Sequence, residues 1–345
     1  MLYDLNLAEL TEFLAGLGER PFRARQLYAW LYGKGVNDFE KMSDVPVSAR
    51  EKLALDSRAD GLTLVEALSS KDRQTTKYLF ETDDKNYIET VFMKYKDRNS
   101  ICISVQAGCR MGCRFCASGS LGLARNLTPS EMALQVILSE NEAGVKTKNI
   151  VLMGIGEPLD NFDNVKKFIE NITDDHGRDL SRRAITMSTC GLVPGIERLA
   201  KELPQVNLAV SLHAPNDKMR LTIMPVTKKY GVKDIVEATR KHYEKTHRRS
   251  TFEYALIEGF NDSKEHAAEL ASLLRGMNCI VNLIPLNGTD TSGVVSKETM
   301  MYRGSSAEKA ELFREELGRR HIPSTVRRSL GADIGAACGQ LRLHR

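Results

Sequence analysis

Three cysteines, Cys109, Cys113 and Cys116, stand in the run Gly108-Cys109-Arg110-Met111-Gly112-Cys113-Arg114-Phe115-Cys116, with three and then two residues between them. The chain holds only seven cysteines, so this crowding calls for a chemical reason. Thiolates on one short loop can wrap several irons of a cubane iron–sulfur cluster, and three local ligands leave one iron an open position for chemistry. A structural zinc site would need a fourth ligand, usually in a second tight Cys/His pair, and none follows. A bland buried helical face is disfavoured by Gly108 and Gly112 and by the flanking Arg110 and Arg114. A disulfide framework does not suit a large chain without a secretory segment. The expectation is a [4Fe-4S] cluster on Cys109, Cys113 and Cys116.

The elements that would position such a site follow from periodicity. From residue 100 onward strand-like and helical stretches alternate, the mark of a parallel α/β architecture. Strands are predicted at Ile101–Val105, Asn149–Met153, Ala184–Ser188, Val206–Ser211, Thr251–Ile257 and Ile280–Ile284, with amphipathic helices near 130–143, 162–172, 195–202, 233–245, 263–276 and 306–319. Six such units suit a partial TIM-like barrel. Polar residues fall just after several of these strands: the three cysteines, Gly154-Ile155-Gly156-Glu157-Pro158, Ser188-Thr189, Ser211-Leu212-His213 and Asn287. The carboxyl ends of barrel strands converge on one mouth, so five segments aim polar groups at one place. Gly154 and Gly156 do not make a dinucleotide loop, because the third glycine is missing and Pro158 interrupts. Taken alone, His213 is an ordinary structural histidine and Asn287 a turn residue before Gly288.

Residues 1–56 read as a helical unit with apolar stripes at Leu5, Leu7, Leu10, Phe13, Leu14 and Leu17 and at Phe22, Leu27, Trp30 and Leu31, the second beside Arg20, Arg23 and Arg25. Charge leaves open whether this is a packed cap or a nucleic-acid module with arginines on phosphates. Residues 57–98 switch to a strand pattern, with Asp83-Asp84 turning a hairpin and Glu89 inside the apolar run 87–93, where a solvated outward position is the default reading. The barrel is expected over 99–320, and 321–345 is a basic tail. Between 319 and the end stand six arginines against one acid, Asp333, a density that fits phosphate contacts. Cys338 lies in this tail within a glycine-rich strip; a lone cysteine there is ordinarily inert, and Cys102 is ordinarily core.

The 345 residues are 42% hydrophobic with a net charge of +4, enough for a sizeable core and too little charge for a nucleic-acid coat. No signal-peptide pattern opens the chain and no apolar run approaches the ~18 residues of a membrane span. A cytoplasmic protein with reduced thiols and no membrane partner is expected.

The cysteine spacing resembles the cluster loop of the radical S-adenosylmethionine (SAM) superfamily, whose open iron binds the amino and carboxylate groups of SAM. Two more runs narrow the likeness: Ser104-Val105-Gln106-Ala107-Gly108-Cys109 and Ala336-Ala337-Cys338-Gly339-Gln340-Leu341. Together they resemble the RNA adenine C2-methyltransferases of the RlmN type and their relative Cfr, which methylates C8. The likeness covers nearly the whole chain. It implies a (βα)6 radical-SAM barrel with an N-terminal RNA-binding helical domain. It implies that Gly156, Glu157, Ser188, Ser211, Leu212, His213 and Asn287 contact SAM, that Cys338 carries the methyl group, that Cys102 is its resolving partner and that Glu89 transfers a proton.

By the same likeness two SAM molecules are used per turnover, the targets are adenosine 2503 of 23S ribosomal RNA and adenosine 37 of certain transfer RNAs, the electron donor is of the flavodoxin type, and the protein is a monomer. The runs around Gly156, His213 and Asn287 stand closer to the C2 than to the C8 type. Residues 288–305 form a polar loop longer than the family's usual connection. Two other classes stay open from the residues alone: a radical-SAM enzyme acting on a peptide or metabolite, and a non-catalytic iron–sulfur RNA-binding protein.

Overall fold

A computed structural model of the chain describes residues 1–120, 122–286, 302–328 and 330–341. Asn287 and most of the loop expected at 288–305 lie outside the described residues, as do Arg342 and Arg345. The sequence resolves into helices α1 (Leu7–Gly16), α2 (Phe22–Tyr28) and α3 (Val47–Asp56), then strands β1 (Leu62–Ser69), β2 (Thr75–Thr82) and β3 (Tyr87–Lys94). Strand β4 (Asn99–Cys102) is followed by a ribbon of β5 (Gln106–Cys109) and β6 (Gly122–Asn126), then α4 (Pro129–Ala143), β7 (Asn149–Leu152) and α5 (Phe162–Ile172). The chain continues through β8 (Ile185–Thr189), α6 (Val193–Glu202), β9 (Asn207–Ser211), α7 (Asp217–Ile223), α8 (Val232–Thr246), β10 (Ser250–Leu256) and α9 (Lys264–Leu273). It closes with β11 (Cys279–Pro285), α10 (Ala307–Arg319) and β12 (Ser324–Val326).

One ten-stranded sheet runs β1-β2-β3-β4-β7-β8-β9-β10-β11-β12. From β4 to β12 every neighbour is parallel, as helix crossovers dictate, and this is the partial barrel. The β-rich extension is not a separate sheet: β3 pairs antiparallel with β4, so β1–β3 prolong the barrel edge. The short β12 adds a seventh parallel strand that periodicity does not reveal, three residues being too few to display a period.

Inside the barrel the strands are unlike those of a closed TIM barrel, whose lumen is filled by branched apolar side chains. Along β7, β8 and β11 burial alternates, the buried residues facing the helices and the half-buried ones facing inward. The inward set includes Asn149, Thr186, Ser188 and Asn282 beside Val151 and Ile284, so the lumen is hollow and carries polar groups among apolar ones. The apolar outward set packs on the helices in one core that also takes in the N-terminal unit. Tyr28 there donates to the Asn171 carbonyl at 3.1 Å, and the Asn171 amide reaches the Tyr3 carbonyl at 3.3 Å. Among the described residues no helix is long and apolar enough to cross a membrane.

Candidate active site

The cysteines occupy the turn of the β5–β6 ribbon, a tighter setting than the open loop their spacing suggests. Gly108 has φ +80°, and a Cβ there would lie 2.0 Å from the Gly122 carbonyl oxygen, so only glycine lets the ribbon close. Side chains then fix the ribbon to the barrel. Gln106 donates to Asp160 and to Asn126, both at 2.8 Å, and accepts the Glu157 N–H at 2.9 Å. Arg110 grips Asp160 through Nε at 2.8 Å and Nη2 at 2.5 Å. Ser104 accepts the Ile155 N–H and donates to the Glu89 carbonyl, while Gln135 on α4 bridges Ser104 and Thr90.

Cys109, Cys113 and Cys116 face a cleft of about 960 Å³, including its open side, at the carboxyl ends of the barrel strands. Gly156, Glu157, Ser188, Ser211 and His213 line the same cleft, and so does Cys338. Four of the five expected segments meet there, the fifth, at Asn287, lying outside the described residues. Burial pushes the Cys109 thiol up to about 12 and raises Cys113 and Cys116 as well, so a bound metal would have to displace their protons. The three sulfurs do not all lie within 4.8 Å of one another; among the described residues only Asp174, Asp175 and His176 form such a group. A single zinc ion with Zn–S bonds of ~2.3 Å would draw its sulfurs to ~3.8 Å, whereas a cubane takes a wider set. The residues fit a cluster.

The other cleft residues are held by short-range bonding. Glu157 is buried, and its two oxygens accept the N–H groups of Cys190 at 2.7 Å and Leu159 at 3.1 Å. Burial raises its pKa, opposed by those bonds. Gly156, at φ +105°, needs to be glycine because Gln106 fills the space where a Cβ would stand. Ser188 and Ser211 lie Oγ to Oγ at 3.4 Å. His213 has a left-handed backbone (φ +59°), and its Nδ1 accepts the Ala255 N–H at 2.9 Å. The ring is therefore the neutral tautomer with its proton on Nε2, and burial with the Arg220 charge lowers its pKa to about 3. Asn261, invisible to sequence reasoning, sets this histidine by donating to the His213 and Ala255 carbonyls.

Two expected residues stand apart. The Leu212 side chain is in the core and does not line the cleft; only its backbone sits at the strand end. Glu89 is buried rather than solvated and pairs with Lys77 at 2.8 Å. It does not line the cleft of the three cysteines or the cavity of Cys102, but Val91 and Met93, on the same face of β3, line the latter. Asn287 lies outside the described residues.

A second cavity of about 580 Å³ adjoins the first, lined by Cys102, Val91, Met93, Arg327 and again Cys338. All cysteines are free thiols, Cys338 exposed and Cys102 buried, with the Cys102 thiol pushed up to about 12 by burial. Arg327 lines both cavities, and the Cys338 sulfur is the strongest influence on its raised pKa. Glu253 on β10 is a further site residue: its Oε1 accepts from Asn282 at 3.1 Å, and its buried Oε2 has no hydrogen-bond partner among the described residues. An acid in the apolar run 251–257 was the available signal.

The model for the ribosomal RNA large subunit methyltransferase N-terminal domain matches residues 1–58, and that for the radical SAM superfamily matches 103–271. A probable dual-specificity RNA methyltransferase RlmN of Caldanaerobacter subterraneus subsp. tengcongensis is 48% identical, over 99% of this chain and 97% of its own. Its namesake in Pelotomaculum thermopropionicum is also 48% identical, over 98% and 90% respectively. The crystal structure of a radical SAM methyltransferase from Sphaerobacter thermophilus superposes with a TM-score of 0.93 at 46% identity, covering 99% of this chain and 98% of that one.

Proposed function

The chain belongs to the RlmN family of radical SAM RNA methyltransferases, and from that premise we propose that it methylates C2 of adenosine 2503 in 23S ribosomal RNA and of adenosine 37 in certain transfer RNAs. One observation supports this reading above the others: Cys338 borders both the cleft of the three cysteines and the cavity of Cys102. A sulfur so placed can take up carbon on one side and give it up on the other.

C2 of adenine is an electrophilic carbon with no lone pair, so direct attack on a SAM methyl is closed to it. A [4Fe-4S] cluster on Cys109, Cys113 and Cys116 with SAM at its open iron supplies radical chemistry when bound. The His213 Nε2–H offers a fixed donor at the cleft wall, and Ser188 and Ser211 offer hydroxyls. The Cys338 thiolate accepts a methyl group from a first SAM, which leaves as S-adenosylhomocysteine, a second SAM being used in the same turnover. Joining that carbon to C2 costs the S-methyl group one hydrogen atom, carried off on the adenosyl group of the second SAM as 5′-deoxyadenosine. It also costs C2 its hydrogen as a proton, with one electron returned to the redox donor. The Cys102 thiolate then attacks the Cys338 sulfur. The S–S bond forms as the C–S bond breaks, and the carbon leaves with the electron pair and takes a proton to become the product methyl. External thiols then reduce the disulfide. Arg327, whose charge acts on both sulfurs, eases ionisation of the buried Cys102 thiol. Glu89, held by Lys77, is the proton-transfer group.

The target base must be unstacked to expose its edge. Arg20, Arg23 and Arg25 of the N-terminal unit and the basic tail hold the RNA backbone. A flavodoxin-type protein donates the electron, and a monomer suffices. Nucleoside mass spectrometry of ribosomal and transfer RNA from a deletion strain, with and without this chain restored, tests the reading. Restored 2-methyladenosine is expected; 8-methyladenosine as the sole product, or product from Cys338→Ala at the wild-type rate, overturns it.

A further inference from the structure

Arg220, on α7, is the bulkiest of the fully buried side chains, and its neighbours do not neutralise it. Its Nε donates to the Leu212 carbonyl at 3.0 Å, Nη1 to the Thr227 hydroxyl at 2.9 Å, and Nη2 to the carbonyls of Cys190 at 2.5 Å and Ser211 at 3.2 Å. These acceptors are neutral. No carboxylate forms an ion pair with Arg220 among the described residues; Asp217, which acts on it from farther off, is engaged with the Val232 N–H at 2.6 Å. A buried cation without a counter-charge costs several kcal/mol, so a fold that keeps one has an anion to set against it.

The surroundings identify that anion. Arg220 acts electrostatically on Cys113, and Ile223 and Met224, which follow it, pack with Phe115, Cys113 and Cys116. The Ile223 carbonyl accepts the Arg114 N–H at 2.9 Å, joining α7 to the cysteine loop. We propose that Arg220 is the counter-charge of the iron–sulfur centre, a positioning residue that favours its reduced form. The inference rests on the three-cysteine cluster of the preceding section. One electron from an external one-electron donor adds one negative charge to a centre already carrying three thiolates, and a fixed guanidinium in a low-dielectric wall lowers the cost of that step.

The test is a redox titration of the anaerobic, cluster-loaded protein followed by electron paramagnetic resonance. Arg220→Gln is expected to lower the ratio of reduced to oxidised cluster at fixed potential at least tenfold, which is about 59 mV for a one-electron couple. Arg220→Lys keeps the charge and is expected to stay within about threefold of wild type. Thr227→Val, which removes one hydrogen bond and no charge, should leave the ratio unchanged. If Arg220→Gln does not fold, Thr227→Asp decides: a carboxylate beside the guanidinium should lower the ratio in the same direction. An unmoved ratio in the folded charge variant, with melting lowered equally in cluster-loaded and cluster-free protein, overturns the proposal and leaves Arg220 a structural clamp. A wild-type protein that binds no iron and sulfide instead overturns the cluster reading beneath it.

Discussion

The cysteine ribbon and the tail that carries Cys338 approach each other across the cleft, yet they are held in opposite ways. The ribbon is fixed by side-chain bonding, buried at Ser104 and Gln135, part-buried at Gln106 and Asp160 and exposed at Arg110, which joins it to three other parts of the barrel. The tail is held at a few points. Leu341 accepts from Ser118 at 2.7 Å, Gly339 from the Ala117 N–H at 2.9 Å, Gly335 from Lys77 at 3.5 Å, and Asp333 accepts the Lys71 N–H at 3.0 Å. Gly331, Gly335 and Gly339 all take left-handed backbone angles, and between these turns Ala336 and Leu341 pack with Val91, Met93, Cys102 and Ile155. Ligands of a metal cluster must not wander, whereas a sulfur that serves two cavities must travel between them. The ribbon is tied mainly by side-chain hydrogen bonds, whereas the tail is seated mainly by apolar contacts and backbone bonds between glycine turns.

That contrast can be broken first at the ribbon. Gly108→Ala sets a Cβ against the Gly122 carbonyl in a left-handed conformation, and a loss of at least ~4 kcal/mol is expected, with iron content at background. Melting and iron analysis check it; a normally loaded protein would mean the ribbon is not rigid. Asp160→Ala strips Arg110 and leaves the buried Gln106 short of an acceptor. The exposed arginine contributes little, so ~1–3 kcal/mol is expected from Gln106, with cluster affinity falling ~10–100-fold.

The next handle is pH. The folded-state pKa of His213 is about 3, against ~6.5 unfolded, so between these values the unfolded chain binds the extra proton. The stability this residue contributes is complete above pH ~6.5 and falls as pH drops toward 3. His213→Gln should remove up to ~1.4 kcal/mol per pH unit from the acid slope of the cluster-free protein, measured by denaturant melts. An unchanged slope would show that the ring is not held neutral.

The smallest effect belongs to the tail. Ser118→Ala removes one hydrogen bond, worth ~1 kcal/mol, and should speed proteolysis of the tail about fivefold without moving global melting. A shift in global melting would mean the tail is part of the cooperative core.

Much of this architecture was legible beforehand for a plain reason. Long amphipathic helices and inward-outward strands display their period, so α5 falls at the expected 162–172 and β7 starts at the expected Asn149. The strand ends then carried the polar residues to one mouth. What escaped was decided by tertiary packing. Arg220 reads as a surface residue on a seven-residue helix, and only the fold buries it. Gln106, Asn261 and Glu253 look like ordinary polar residues until their partners, tens of residues away, come into range. Glu89 shows the limit of a default: half of a strand faces outward in general, but β3 is an inner strand between β2 and β4, and its glutamate is buried against Lys77.

The most direct measurement is the mass of the tail peptide bearing Cys338 after the anaerobic, cluster-loaded protein is incubated with SAM carrying an isotopically labelled methyl group, followed by RNA. A labelled methyl on Cys338 is expected before RNA is added, and its carbon should then leave the peptide and reappear in adenosine. RNA that gains the label while Cys338 never carries it would contradict the role given to this sulfur.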